Sequence, residues 1–173
     1  MMKRCYLGLG ANLGNELGTP IDHLCRAVQT VCQSPAFDEV RVSSLYRSVA
    51  YGVTDQPDFY NAVLTAKTSL DAFELLDFCQ SMEQAAARVR LRHWGERSLD
   101  VDVLLYEDMQ IDSERLTIPH RELALRNFVL VPLYELDAAI TIAGVPIADN
   151  PLSRDMTGLV RLEADFANWA NHD

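Results

Sequence analysis

The chain has 173 residues, of which 49 % are hydrophobic and 23 % charged, and its net charge is −10. That is one domain's worth of sequence with enough apolar side chain to bury a core, so the expectation is a single domain over residues 1–173; a disordered, collagen-like or low-complexity chain is excluded. The negative balance argues against nucleic acid or an anionic membrane as a partner; no apolar run approaches the ~18 residues that span a bilayer, and the first residues lack a secretory signal, so a cytoplasmic protein is expected.

Residues 4–9 read as a first strand ending in Gly8 and Gly10. Thr19-Pro20 is a helix start, with Asp22 in the first turn and Ile21, Leu24, Val28, Val31 and Cys32 at helical spacing to about residue 33. Residues 39–47 alternate as a strand, 48–57 form a loop, and 59–67 form another strand. Thr68 or Ser69 is placed to cap a second helix with Phe73, Leu76, Cys79, Met82 and Ala86 on its apolar stripe. An arginine-rich loop over 88–97 leads to a strand over 98–106. This βαββαβ order predicts an α+β, ferredoxin-like core: an antiparallel sheet with both helices on one face. A short strand near 109–112, a turn at Ile118-Pro119-His120, helices near 121–126 and 131–137, a hairpin about Ala143-Gly144, and a helix or extended arm from 155 follow. The four cysteines form no C-x-x-C pair and fall on apolar stripes, as packed thiols do.

Thirteen of the fifteen cationic side chains are arginine, and Arg88, Arg90, Arg92 and Arg97 fall within ten residues that hold one acid, Glu96. Arginine presents a flat fork of donors matched to phosphate or carboxylate. Just beyond, Asp100 and Asp102 are two apart on a strand and so share a face, opposite Leu99, Val101, Val103 and Leu105. Paired hard oxygens beside phosphate-binding arginines point to a nucleotide–metal site, with Mg²⁺ the natural ion. Phe59 and Asn61 also share a face, which suits either ordinary packing or a flat heterocycle stacked and hydrogen-bonded at its edge. Glu83 interrupts an apolar helical stripe, either reaching out to solvent or holding a ligand hydroxyl. His120 is a structural residue or a phosphate donor. The turn Gly10-Ala11-Asn12-Leu13-Gly14-Asn15 lacks the lysine of a P-loop.

The segments GLGANLGN (8–15), SSLYRS (43–48), DQPDFYNAV (55–63), WGERSLDVDVLLY (94–106), RLTIPHREL (115–123) and RNFVLVPLYEL (126–136) resemble the 6-hydroxymethyl-7,8-dihydropterin pyrophosphokinase family of the folate pathway. The resemblance implies a ferredoxin-like domain with additional C-terminal strands and helices. It implies transfer of pyrophosphate from ATP to the pterin's hydroxymethyl group with release of AMP, and a monomer whose partners are those two small molecules. Matched residue by residue, it implies two Mg²⁺ ions on Asp100 and Asp102, and a catalytic set of Arg88, Arg97, Asp100 and Asp102. The pterin would meet Phe59, Asn61, Phe128 and Arg126; the nucleotide would meet Glu83, Arg88, Arg97, Leu116, Thr117, His120 and Arg121. Glu96 and His93 depart from the family pattern as read here.

Overall fold

The computed structural model describes residues 1–48, 57–87 and 98–163. Strand β1 (Lys3–Ala11) buries Cys5, Leu7, Leu9 and Ala11 on one face and turns Tyr6, Gly8 and Gly10 to the other. Helix α1 (Pro20–Gln33) starts where the sequence predicts: the Thr19 hydroxyl accepts the Asp22 N–H, the Asp22 carboxylate accepts the Thr19 N–H, and Pro20 opens the first turn.

The expected strand over 39–47 is two strands, β2 (Phe37–Val42) and β3 (Leu45–Ser48). Ser43 and Ser44, both fully buried, make the break, and each finds polar partners there. Ser43 exchanges hydrogen bonds with the Val63 backbone at 2.9 Å, and Ser44 donates its N–H and hydroxyl to Glu135 Oε2 at 2.8 and 3.0 Å. Strand β4 (Phe59–Thr68) leads into α2 (Ala72–Ala86). Its cap is Asp71, reciprocal with Glu74, in place of the expected Thr68 or Ser69. The Thr68 hydroxyl is taken by Ala36 O and the Leu70 N–H. The buried stripe is accordingly Ala72, Leu75, Cys79, Met82 and Ala86, and Phe73 is exposed.

Strand β5 (Asp100–Tyr106) completes the core. The strands form one antiparallel sheet in the order β10-β3-β4-β1-β5, with β2 also on β4 and β10 (Leu159–Glu163) supplying the edge beside β3. This is the ferredoxin-like α+β arrangement with its second strand split. Helices α1 and α2 cover one face through Leu24, Val28, Leu75 and Cys79. The other face carries α3 (Asn127–Leu136), whose Leu130 and Leu133 pack on Tyr6, Val63, Leu104 and Leu105. The helix expected at 121–126 is a single 3₁₀ turn, Leu123–Leu125, and α3 begins four residues before the expected 131. Strands β6 (Ile111–Asp112) and β7 (Thr117–Ile118) pair with each other. The hairpin β8 (Thr141–Ile142) to β9 (Val145–Pro146) turns on Ala143 and Gly144, both at positive φ.

Two expectations fail for local reasons. The β1–β5 register shifts between Leu7–Val103 and Tyr6–Leu105, a bulge that puts both Leu104 and Leu105 on the α3 side, so Leu105 leaves the face shared by Val101 and Val103. Cys5, Cys25 and Cys79 are buried as expected, but Cys32, near the end of α1, is exposed.

Candidate active site

The open end of the α3-side face is built on glycine. Asp102 pairs with Gly8 and Asp100 with Gly10 across β1, and the same glycines pair with Val63 and Asn61 of β4. Directly paired residues point to one face, so the two carboxylates stand beside two positions with no side chain. A Cβ at Gly10 would lie 3.2 Å from Asn61 Oδ1, and one at Gly8 would lie 3.3 Å from the Leu104 side chain. Above this floor is a cavity of about 550 Å³ lined by Phe59, Asn61, Asp100, Asp102, His120, Arg126 and Phe128, among others. A second, of about 390 Å³, lies against Leu76, Val101, Arg115, Leu116, Thr117 and Arg121. Asp102, His120 and Glu122 line both.

In the first cavity, Asn61 is almost fully buried and donates Nδ2 to Ser48 Oγ at 3.0 Å, which holds the carboxamide with its other end toward the sheet floor. Its Oδ1 is therefore the atom facing Gly10. Phe128 packs against Tyr46, Val131 and Leu159. The Arg126 guanidinium lies 5.5 Å from the Phe128 ring centre and is ion-paired to Glu122, four residues earlier.

His120 bridges the two cavities. Its backbone N–H donates to Leu104 O at 3.0 Å, and its Nδ1 accepts the Glu122 N–H at 3.3 Å. With Nδ1 an acceptor, the ring proton of the neutral imidazole sits on Nε2, which is 4.0 Å from Asp102 Oδ2. In the second cavity, Arg121 Nε donates to Thr117 Oγ1 at 3.4 Å, and Arg115 pairs with Asp77.

The structure thus gathers Phe59, Asn61, Asp100, Asp102, His120, Arg126 and Phe128 about one cavity and Leu116, Thr117 and Arg121 about its neighbour. Glu83 lines neither; its Oε2 accepts the Val101 N–H at 2.9 Å and so holds the start of β5. Arg88 and Arg97, with Glu96 and His93, lie outside the described residues. The sequence reading missed Gly8 and Gly10 as the floor, Ser48 as the partner that orients Asn61, and Glu122. The glycines had a signal: their spacing of two on a strand matches that of the aspartates.

Among the described residues no group of three or more His, Cys, Asp and Glu side chains converges on one point. Two carboxylates over a side-chain-free floor fit Mg²⁺ nonetheless, since that ion takes one or two protein carboxylates and fills its octahedron with water and phosphate oxygens.

Residues 6–138 match the family described as 7,8-dihydro-6-hydroxymethylpterin-pyrophosphokinase. The chain is 42 % identical over 164 residues to a 2-amino-4-hydroxy-6-hydroxymethyldihydropteridine pyrophosphokinase of Haemophilus influenzae, covering 95 % of each chain. It is 41 % identical to the protein of that name from Methylorubrum extorquens, covering 94 % of this chain and all of the other. Its fold is similar to that of Plasmodium falciparum HPPK-DHPS, at a TM-score of 0.67 and 13 % identity; the match covers 93 % of this chain and 47 % of that one, so the chain spans less than half of that longer protein.

Proposed function

The chain belongs to the 7,8-dihydro-6-hydroxymethylpterin-pyrophosphokinase family and is an ATP-dependent pyrophosphokinase of folate biosynthesis, and from that premise we propose how its residues divide the work. The reaction joins the hydroxymethyl oxygen of 6-hydroxymethyl-7,8-dihydropterin to the β-phosphorus of ATP as the bond from that phosphorus to the α,β-bridging oxygen breaks, releasing AMP.

The pterin occupies the larger cavity, with Phe59 and Phe128 against its faces and Asn61 Oδ1 accepting from an N–H on its edge. Arg126, lying along Phe128, guards the same pocket. ATP occupies the second cavity, its adenine against Leu116 and Thr117 and its phosphates toward His120 and Arg121. Glu83 contributes to the nucleotide side through the strand start it anchors. Arg88 and Arg97 are the remaining phosphate ligands, a reading supported by their place in the sequence.

Asp100 and Asp102 would hold two Mg²⁺ ions, whose chemistry there would be neutralisation of phosphate charge and Lewis-acid activation. The chain's own part is positioning. Asp102 and His120 stand where the two cavities meet, and the His120 Nε2–H points there as a donor to a phosphate oxygen. Such transfers need in-line alignment and charge neutralisation more than covalent help from the protein. That shared boundary is the observation that carries the assignment.

The chain works as one domain and as a monomer; the single-domain reading is supported by its 173 residues. Four cysteines that are thiols rather than disulfides support a reducing cytoplasm, and the charge of −10 disfavours nucleic acid and membrane surfaces. AMP release from ATP, measured with and without the dihydropterin and Mg²⁺, tests the reading. Release that needs both supports it; release indifferent to the pterin or to EDTA overturns it.

A further inference from the structure

The glycine-rich turn between β1 and α1 has no part in the mechanism above, yet its polar groups form a relay with one possible direction. Asn15 and Gly18 exchange backbone hydrogen bonds of 3.0 and 3.1 Å. The turn closes on glycines: a Cβ at Gly14 would lie 2.9 Å from Gly18 O, and Gly18, at φ +149°, would carry a Cβ 2.8 Å from Asp22 Cβ. This geometry presents the Asn15 side chain to two distant places. Its Nδ2 donates to Ala86 O at 2.7 Å and to Ser98 Oγ at 3.0 Å. Ala86 ends α2, and Ser98 lies two residues before β5. These residues flank the arginine-rich stretch.

The orientation of the amide follows from its neighbours. Arg26 Nη1 lies 3.3 Å from His23 Nδ1. A guanidinium only donates, so Nδ1 accepts and the ring proton sits on Nε2. Nε2–H then donates to Asn15 Oδ1 at 3.1 Å, and the Leu17 N–H adds a second donor at 2.8 Å. With Oδ1 occupied twice, Nδ2 turns its two hydrogens to Ala86 and Ser98. His23 is 1 % exposed, and burial together with Arg26 holds its pKa below the ordinary histidine value, which keeps the ring in the neutral form the relay requires.

We propose that Asn15 is a positioning residue for pyrophosphoryl transfer: its carboxamide ties Ala86 to Ser98, the residues that bracket Arg88 and Arg97 in the sequence, and so fixes both ends of that stretch. The inference rests on the reading of those arginines as phosphate ligands. Arg97 is one residue from Ser98 and Arg88 two from Ala86, so each arginine follows its tether within a span of at most two residues of chain.

Asn15→Asp keeps the acceptor for His23 and Leu17 and removes both donors. The expected result is a rise in the KM for ATP of about tenfold, the scale of the lost hydrogen bond to Ala86 O and the oxygen–oxygen repulsion that replaces it, since the Ser98 hydroxyl can still donate to the carboxylate. The Kd for the dihydropterin without nucleotide, read by calorimetry, should stay unchanged. Ser98→Ala, which removes one tether and leaves the turn intact, should raise the KM for ATP about threefold. Combined with Arg97→Ala, Asn15→Asp should add less than its separate effect, because both act through one group. Full additivity, or an unchanged KM for ATP in both tether variants while Arg97→Ala raises it, overturns the role of Asn15. An Arg97→Ala enzyme with wild-type KM for ATP overturns the reading of the arginines, and the proposal with it.

Discussion

Asn61 and His120 are each held by a hydrogen bond that leaves one atom pointing into the site, Oδ1 in the first case and Nε2–H in the second. Neither orientation is legible in the sequence, because Ser48 is thirteen residues away on another strand, and the Glu122 amide meets His120 only through a local turn. The shared face of Phe59 and Asn61, by contrast, follows from strand parity alone, as does that of Asp100 and Asp102. Phe128→Ala should weaken pterin binding by about 1–3 kcal/mol through lost stacking and burial, with ATP binding unchanged. Calorimetry that found ATP weakened and pterin unaffected would reverse the assignment of the two cavities. His23 makes a prediction about pH. Its native pKa is depressed, chiefly by burial and then by Arg26, with Asp22 opposing. Below the ordinary value of 6.5 the unfolded chain therefore binds a proton that the native protein resists. Stability should fall as the pH drops below that value, until the native pKa is reached. His23→Gln should flatten this part of the profile in denaturant unfolding at pH 7.5 and 5.5; an identical acid slope in both proteins would contradict the assignment.

At the scale of elements, the sequence reading succeeds where a side chain acts on its own backbone neighbourhood and fails where a distant partner decides. Thr19 and Asp22 cap α1 as predicted because both members of the box lie within four residues. Thr68 is as good a cap by type, but Ala36 and Leu70 claim its hydroxyl, so Asp71 starts α2 and the buried stripe shifts toward Ala72 and Leu75. The single expected strand over 39–47 splits because Glu135, on α3, supplies a carboxylate for Ser44. Alternation carries β5 correctly through Val103, and then the bulge reverses Leu105, a change that only the register with β1 reveals. Leu105→Ala should cost about 2–5 kcal/mol, as buried leucines do. In double-mutant cycles it should couple to Leu130→Ala by about 0.5 kcal/mol or more and to Leu75→Ala by less. Stronger coupling to Leu75 would restore the unbulged strand.

For the whole molecule, the ferredoxin-like core was readable from element order, and the site was readable as a list of residue types but not as two rooms with a common wall. That division comes from β7 and the turn at His120 folding back onto β5, a contact no periodicity encodes. On the proposed assignment the acceptor would enter from the side of α3 and the donor from the side of Leu116 and Arg121, with Asp102 at the junction and Asp100 lining the first cavity. The most direct test is AMP release at saturating ATP and dihydropterin for Asp100→Asn and Asp102→Asn, with the pterin Kd measured in parallel without metal. The account predicts a loss of at least about 10²-fold in turnover for each, roughly 3 kcal/mol of barrier, with the metal-free pterin Kd unchanged. Near-normal Mg²⁺-dependent turnover in either variant would contradict it.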